Sequence, residues 1–168
     1  FGNICDQIPE YQLVVAGPDE GMRDRLEIEC RERNLYERVT FVGFLDSEDK
    51  ASAYNASSLL VIPSRREAMS IVVLEAGIHG VPALITKDCG FDEIEKVFGG
   101  MAVETSVSGL ERGLMELLKE NNKLTEMGKN LKKHVQEKYL WSNIAKEHIH
   151  VFNNAIKFNS NLFNGPSK

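Results

Sequence analysis

The chain lacks the features that mark secreted and membrane-spanning proteins. No apolar run approaches the roughly 18 residues that a membrane-spanning helix needs, and no stretch has the pattern of a secretory signal peptide. The three cysteines, Cys5, Cys30 and Cys89, are odd in number and widely spaced, without a Cys-x-x-Cys pair. We therefore expect buried free thiols in a reducing compartment, rather than a disulfide or a metal site, and a cytoplasmic location.

An excess of positive charge is also missing. The chain carries 20 Lys and Arg against 25 Asp and Glu, a net charge of -5. Nucleic acid is therefore not expected as the main partner, because phosphate backbones need a basic field, although a local basic pocket for a small phosphate stays compatible. At 168 residues the length predicts one domain. Because the chain begins FGNICDQIPEY, with no initiator Met, we interpret it as part of a longer protein.

Short apolar runs alternate with helical patterns over the first hundred residues. Gly, Pro, Asn or Ser bound the runs, which predict strands over residues 11–16, 39–42, 58–62 and 82–86. This alternation predicts the α/β class, with a parallel sheet covered by helices on both faces.

The helical patterns have their own start and stop signals. The first helix is predicted over residues 21–33, with Asp19 or a neighbour as its cap and Asn34 at its end. Its expected apolar stripe consists of Met22, Leu26 and Cys30. The second helix is expected to follow the cap Ser47. From residue 107 onward the pattern predicts three amphipathic helices without a strand between them, and a polar tail over residues 158–168.

The stretch SIVVLEAGIHG, residues 70–80, places one carboxylate in an apolar helix. Seven of the eight residues 71–78 are Ile, Val, Leu, Ala or Gly, and the fifth is Glu75. A helix that is apolar on all sides is expected to be buried, and a buried carboxylate is costly unless something satisfies it. We therefore expect a buried Glu75 with a specific partner, either a ligand or an ion pair with Arg65 or Arg66.

A second carboxylate, Glu67, lies in the loop PSRREAMS just before this helix. The loop follows a predicted strand, so the amides of Met69, Ser70 and Ile71 are expected in the crevice at the carboxyl ends of the strands, where ligands bind in open α/β sheets. Amides that hold phosphates, flanked by two carboxylates that accept hydroxyl hydrogen bonds, are what a nucleotide sugar requires. Two glutamates eight residues apart are common by chance in so acidic a chain. Whether this pair is functional therefore depends on the surrounding motif.

That motif is PS-x-x-E-x(7)-E-A-x(3)-G-x-P, over residues 63–82. It resembles the carboxyl-terminal half of the retaining, GT-B-fold glycosyltransferases of family 4 (group 1). The resemblance continues in register through LVVAGPDEG, VTFVGFLDSEDKASAYNASSLLVIPS, KDCGFDEI and YLWSNIAKEHIHVF. It implies a Rossmann-like donor-binding domain over residues 1–157. It also implies that the family's first strand and its amino-terminal acceptor domain lie upstream of this chain.

The resemblance assigns roles to single residues. It implies that Glu75 binds the ribose hydroxyls of the nucleotide, and that Glu67 meets the donor sugar as the catalytic residue. The other implied binding residues hold the phosphates, border the base or line the crevice: Met69, Ser70 and Ile71; Gly43 and Phe44; Gly17 and Ser64. The implied reaction is retaining transfer of a hexose from a nucleotide-diphosphate sugar to a carbohydrate or lipid-linked acceptor. It needs no cofactor, and neither a metal-binding cluster nor Asp-x-Asp stands out in the sequence.

The chain departs from the family's pattern in three ways. The loop after the first Glu usually reads E-G-F-G but here is Glu67-Ala68-Met69-Ser70, and Cys89 stands where a glycine is usual. The Arg and Lys that neutralise the diphosphate belong to the absent first strand, so this chain is not expected to catalyse alone. Two alternatives therefore stay open: a non-catalytic or regulatory nucleotide-sugar-binding domain, and a nucleotide-sugar epimerase of the same fold.

Other side chains have two readings. Arg65 and Arg66 either contact phosphate or face solvent. We expect His79 to be a packing or satisfied residue rather than a base, and Trp141 to anchor the core. The lysines between residues 119 and 138 are expected to form a solvated face, with peripheral contact to the inner face of an anionic membrane as the alternative.

Overall fold

The computed structural model describes residues 1–163, apart from the side chains of residue 121 and residues 159–163. Its strands are β1 (Leu13–Ala16), β2 (Val39–Gly43), β3 (Leu60–Ile62), β4 (Ala83–Thr86) and β5 (Gly100–Val103). Its α-helices are α1 (Arg23–Glu32), α2 (Ser47–Ala56), α3 (Ile71–Ile78), α4 (Glu93–Lys96), α5 (Val107–Leu118), α6 (Asn121–Lys138) and α7 (Trp141–Phe163). Short 3-10 turns cover Cys5–Gln7 and Lys87–Cys89.

The strands form two parallel sheets rather than one. β1 pairs with β2, and β3, β4 and β5 form a second sheet in that order. Every pairing is parallel, with Leu13 opposite Val39 and Ala83 opposite Gly100. The predicted α/β class with parallel strands is therefore confirmed, although no strand described in residues 1–163 joins the two sheets.

The core lies on both faces of β4, the central strand of the larger sheet. Ala83, Leu84 and Ile85 are all at most 1% exposed, because successive side chains point to opposite faces and both faces are covered. Leu84 packs with the α5 residues Leu114 and Leu117. Ala83 and Ile85 pack on the other side, in a cluster that includes residues of α3 and α6.

The smaller sheet and α1 are much more open. Val14 and Val15, which are neighbours in β1 and point to opposite faces, are 56% and 36% exposed. No residue of α1 is buried within the described chain, and Met22 and Leu26 are exposed. α1 is therefore amphipathic in sequence, but no other element buries its apolar stripe in the described structure.

Several helix boundaries follow their caps. Oδ1 of Asp19 accepts from the amides of Gly21, Met22 and Arg23 in the turn before α1, but the N-cap residue is Met22, and the helix covers residues 23–32 rather than 21–33. Asn34 takes a positive φ of 55° just after the helix, as predicted for its end. The predicted cap Ser47 is wrong by one residue. Asp46 is the cap instead, since its carboxylate accepts from the amides of Glu48 and Asp49.

The sequence patterns missed some elements and misplaced others. β5 and α4 were not predicted, because a four-residue strand and a single helical turn are too short for periodicity to identify. α7 continues to Phe163, so the predicted polar tail over residues 158–168 begins within this helix. Residues 164–168 lie outside the described range. Trp141, predicted to anchor the core, begins α7 and is 84% exposed.

Candidate functional site

The amino terminus of α3 is the centre of the candidate site. α3 spans the predicted residues 71–78, and Ser70 is its N-terminal cap residue, with extended backbone and a side chain only 1% exposed. The Ser70 hydroxyl has no nitrogen or oxygen partner among the described residues; its one described polar neighbour is the Cys89 thiol, a weak partner whose pKa it lowers. A buried hydroxyl without a strong partner is costly, so a ligand at this helix end would satisfy it together with the free amides of the first turn.

The helix α3 is open on one side instead of buried all round. Val73 and Ala76 are 0% exposed and face the core, whereas Ile71 is 67% and Val72 is 37% exposed. The Glu75 side chain, 35% exposed, lies on the open side, so the prediction that it is buried is wrong. The apolar residues around it hid this from sequence reasoning, because they line an open crevice rather than the core.

Glu75 nevertheless has the specific partners that were expected. Its Oε1 lies 2.8 Å from the Lys50 ammonium, and its Oε2 accepts from the Tyr54 hydroxyl at 3.0 Å. Burial and the neighbouring carboxylate raise the pKa of Tyr54, which keeps the phenol protonated and able to donate. The cation is therefore Lys50 of α2, and neither Arg65 nor Arg66 pairs with Glu75 in the described contacts.

The side chains around Tyr54 complete this group. The His79 ring stacks on the Tyr54 ring with centroids 5.6 Å apart, and His79 Nδ1 lies 3.0 Å from Oδ1 of Asn55. His79 is thus a satisfied packing residue, as expected. Lys50 and Tyr54 are one helical turn apart on α2, so they share one face of that helix. The sequence carries no signal that this face meets α3.

Glu67 lies in the loop before α3, which runs along the segment after β4. The Glu67 amide donates to the Asp88 carbonyl at 2.9 Å, and the Thr86 hydroxyl donates to the Ser64 carbonyl. Sγ of Cys89 lies 3.3 Å from Oε2 of Glu67. Burial, followed by the Glu67 carboxylate, raises the pKa of the Cys89 thiol to about 11, so it remains a neutral donor.

Gly17 and Gly43 lie together at the carboxyl ends of β1 and β2. The Gly17 amide donates to the Gly43 carbonyl at 2.8 Å, and both residues have positive φ, 147° and 73°. Phe44 follows them and is 77% exposed. Gly17, Gly43 and Phe44 therefore form one group. Ser64, Glu67, Ser70 and Glu75 form a second group around α3. α2 follows β2 in the chain and carries the side chains that contact Glu75.

The remaining candidates fall outside this arrangement or on its edge. Met69 is 39% exposed beside the helix terminus, and Arg65 and Arg66 are exposed in the same loop. On α6 the apolar residues face the core while Lys129, Lys132 and Lys133 are exposed. Cys5 and Cys89 are buried free thiols, as expected, whereas Cys30 is half-buried.

The described part of the chain lacks both a cluster of metal-binding side chains and a membrane-spanning helix. Within it, no three side chains of His, Cys, Asp or Glu are grouped so that they could hold a metal ion. Among the helices of residues 1–163, none combines the length and apolarity that crossing a membrane requires. His134 is buried against the Glu93 carboxylate.

Comparison with known proteins decides the family. A family model described as "Glycosyl transferases group 1" matches residues 1–134. The chain belongs to this family. This group 1 glycosyltransferase chain is 34% identical over 148 residues to an uncharacterised glycosyltransferase of Methanocaldococcus jannaschii, covering 87% of this chain and 38% of that protein.

Solved structures of other glycosyltransferases share its fold. The sucrose-phosphate synthase of Thermosynechococcus elongatus superimposes with a TM-score of 0.79 at 28% identity, covering 93% of this chain and 41% of that one. HepE of Anabaena, solved in complex with UDP, has a TM-score of 0.79 at 19% identity, covering 91% and 44%, a likeness of fold. The Rossmann-like GT-B fold expected from the sequence is confirmed, and the group 1 glycosyltransferase chain spans about two-fifths of the length of these relatives.

Proposed function

We propose that this chain binds a nucleotide-diphosphate sugar at the amino terminus of α3 and supports retaining transfer of its hexose to an acceptor. The observation that carries the proposal is the buried Ser70 hydroxyl, which has only the weak thiol of Cys89 as a described partner, at a helix terminus flanked by Glu67 and Glu75. Amide and hydroxyl donors stand between two carboxylate acceptors, which is the order that a diphosphate between two polyhydroxylated sugars needs.

The diphosphate would bind the amides of Met69, Ser70 and Ile71 together with the Ser70 hydroxyl. These groups are donors at the positive end of the helix dipole, where negative charge develops as the diphosphate leaves. Arg65 and Arg66 are exposed in the adjoining loop and would add positive charge from the solvent side. The chemistry would then need neither a metal ion nor a cofactor.

The two sugars would lie on either side of the diphosphate. Glu75, oriented by Lys50 and Tyr54, would accept hydrogen bonds from the ribose hydroxyls. Glu67 would contact the donor hexose as the catalytic residue. Backbone at Gly17 and Gly43, with Phe44 and Ser64, would border the base and line the crevice.

The whole protein would contribute more than this chain. β1 and β3 are each paired on one side in the described sheets, and a further parallel strand between them would join the two sheets into one. We place that strand and an acceptor-binding domain upstream in the same protein. The acceptor would be a carbohydrate or a lipid-linked sugar reached in the cytoplasm, with the exposed α6 lysines available to an anionic membrane surface.

One observation favours a second candidate, a nucleotide-sugar-binding domain without turnover. Met69 is 39% exposed in the loop beside the helix terminus, where its side chain would narrow the approach to the phosphates. Such a domain would bind the nucleotide sugar and transfer nothing. Binding and turnover therefore have to be measured separately.

Calorimetric titration of the full-length protein with UDP, GDP and ADP tests the binding site. We expect one of the three nucleotides to bind. Glu75→Ala is expected to weaken that binding about tenfold or more, because the ribose hydroxyls lose their hydrogen bonds to a charged carboxylate. Glu126→Ala, which removes an exposed helical carboxylate of α6, is the matched control and is expected to bind like the wild type. Unchanged affinity in Glu75→Ala would contradict the proposed site.

Turnover separates the enzyme from the binding domain. The nucleotide sugar that binds is incubated with the full-length protein and a cell extract containing acceptors, and release of the nucleotide diphosphate is followed. We expect release that depends on Glu67, with folding unchanged in Glu67→Ala. Tight binding without release from any extract would instead favour the non-catalytic domain.

A further inference from the structure

The contact between Cys89 and Glu67 joins two residues that are 22 positions apart. Cys89 ends the 3-10 turn after β4 and is 0% exposed, whereas Glu67 is exposed in the loop before α3. The Cys89 Sγ lies 3.3 Å from Glu67 Oε2. Among the described residues, the other oxygen, Oε1, has no hydrogen-bond partner.

We propose that Cys89 is a positioning residue, whose thiol donates a hydrogen bond to Oε2 of Glu67 and so directs Oε1 towards the donor sugar. The inference rests on the proposed function, because it deepens the role given to Glu67. A glycine at position 89 would have no side chain that could make this contact.

The backbone around the two residues is built to keep them together. The Glu67 amide donates to the Asp88 carbonyl at 2.9 Å. At Gly90 the chain has a φ of 69°, and a Cβ atom there would lie 2.3 Å from the Ala68 carbonyl oxygen and 2.8 Å from that of Glu67. The two loops therefore pack at backbone distance, and the thiol of Cys89 is held against the carboxylate rather than meeting it by a chance rotamer.

The chemistry of a thiol suits this role. Because the thiol stays protonated, it donates a hydrogen and brings no charge to Glu67. Lys50, in contrast, forms a full ion pair with Glu75. The pairing would leave Glu67 with its whole negative charge for the donor sugar, in a fixed orientation.

Cys89 also packs in an apolar cluster with Val73, Ile85, Phe91 and Ile94, so packing is the competing explanation for its burial. A serine at position 89 separates the two roles. A hydroxyl keeps the hydrogen bond to Glu67 but is a poorer neighbour for apolar side chains. If packing alone mattered, Cys89→Ser would be as damaging as Cys89→Ala or more so.

The experiment compares the affinities of a nucleotide sugar and of its nucleotide diphosphate in the full-length protein. The calorimetric probes are UDP-glucose with UDP, GDP-mannose with GDP, and ADP-glucose with ADP. For the pair that binds, we expect Cys89→Ala to weaken the nucleotide sugar about five- to tenfold and to change the diphosphate less than about twofold. The hydrogen bond to Glu67 is lost on the sugar side, whereas on the phosphate side the Ser70 hydroxyl loses only a weak sulfur neighbour. Cys89→Ser is expected to stay within about twofold of the wild type for both.

Cys5→Ala is the matched control. Cys5 is 5% exposed, and its thiol approaches only local groups, the Gly2 carbonyl and the Asp6 carboxylate, in the described contacts. We expect Cys5→Ala to lower stability, because it removes a buried thiol, and to leave the affinities for the nucleotide sugar and for the diphosphate unchanged. Equal loss of sugar and diphosphate affinity in Cys89→Ala, or a loss in Cys89→Ser as large as in Cys89→Ala, would overturn the positioning role.

Infrared spectroscopy of the S–H stretch keeps this inference separate from the proposed function. The Cys89 band is identified by its loss in Cys89→Ala, and we expect it to shift in Glu67→Gln because a carboxylate is a stronger acceptor than an amide. If none of the nucleotides binds to the wild type, the proposed function fails. The band shift would then still support the thiol–carboxylate contact, and an unshifted band would overturn it.

Discussion

The Lys50 ammonium lies 2.8 Å from Oε1 of Glu75, while the Tyr54 hydroxyl lies 3.0 Å from Oε2 of the same carboxylate. Both oxygens of Glu75 are thus held from one helix, α2. The side chains of Lys50 and Glu75 are 41% and 35% exposed, so solvent screens the pair. Its main effect is then on the orientation of the carboxylate rather than on stability.

Lys50→Met tests this orientation. We expect the free energy of unfolding to change by less than about 1 kcal/mol, as is usual for exposed ion pairs. Nucleotide affinity is expected to fall about three- to tenfold. Without Lys50 the Glu75 carboxylate is free to adopt more orientations, and fixing one of them on binding costs entropy. Urea unfolding and calorimetry measure the two effects.

Lys133→Met is the control for Lys50→Met, since Lys133 also forms an exposed pair, with Glu137 at 4.0 Å, on a helix face away from the site. It is expected to leave nucleotide affinity unchanged. Tighter nucleotide binding in Lys50→Met would contradict the expectation and show that Lys50 competes with the ribose for Glu75.

Gly90→Ala and Gly21→Ala separate backbone strain from close approach. Both glycines have positive φ, 69° and 89°, but a Cβ at Gly21 meets nothing within 4 Å, whereas at Gly90 it would lie 2.3 Å from the Ala68 carbonyl oxygen. We expect Gly21→Ala to cost about 1 kcal/mol, from the backbone conformation alone. Gly90→Ala is expected to cost clearly more and also to weaken binding of the nucleotide sugar, because the loop that carries Glu67 must move.

Thermal or urea unfolding of the two variants gives the comparison directly. Equal destabilisation would mean that the loops around residues 67 and 90 separate easily. In that case the packing of Gly90 against Ala68 would not hold Glu67 in place.

The sequence predicted the local features of this fold better than the contacts between distant residues. The bounds of α3 and the end of α1 at Asn34 were correct because each depends on neighbouring residues. The exposure of Glu75 was not predictable, since an apolar helix face that lines a crevice has the same composition as one that faces a core. Only the placement of α2 beside α3 distinguishes them.

The candidate site shows the same limit. Glu67, Ser70 and Glu75 were found because one short motif contains them all. Their partners Cys89 and Lys50 are 22 and 25 residues away, so the pairing depends on which loops and helices pack together. Cys89 was noticed as a departure from glycine, but its direction towards Glu67 needed the structure.

Arg38 connects the amino-terminal segment to the fold. One guanidinium nitrogen, Nη2, lies within hydrogen-bond distance of the carbonyls of Cys5 at 3.2 Å, Ile8 at 3.0 Å and Tyr11 at 2.7 Å, so these three acceptors share its two hydrogens. Arg38→Met would leave these carbonyls without their charged donor. We expect a loss of about 2 to 3 kcal/mol in the free energy of unfolding, measured by urea denaturation.

Arg25→Met is the matched control, because Arg25 is an exposed arginine of α1 and is expected to change stability by less than about 0.5 kcal/mol. A similarly small change in Arg38→Met would show that water replaces the guanidinium at these carbonyls. The segment before β1 would then be held by its apolar contacts alone.

Glu93 connects α4 to α6 and is expected to make stability depend on pH. Its carboxylate contacts His134, accepts from the Tyr139 hydroxyl at 3.2 Å and lies 3.6 Å from the Lys138 ammonium. Burial opposes ionisation, but His134, Lys138 and Tyr139 outweigh it and lower the pKa of Glu93 below its ordinary 4.5. The folded state therefore binds this proton less tightly than the unfolded chain does, so the stabilisation is present above pH 4.5 and is lost as the pH falls through the lowered folded pKa.

Glu93→Gln isolates this contribution. Because the carboxylate is about a third exposed, we expect the variant to be less stable than the wild type by only about 1 kcal/mol at pH 7, and the difference to shrink towards zero at about pH 3. Urea unfolding at both pH values measures it, with Glu126→Gln, an exposed carboxylate of the same helix as His134, as the control that should show no such trend. A difference that stays constant down to about pH 3 would mean that Glu93 acts through packing and hydrogen bonding rather than through its charge.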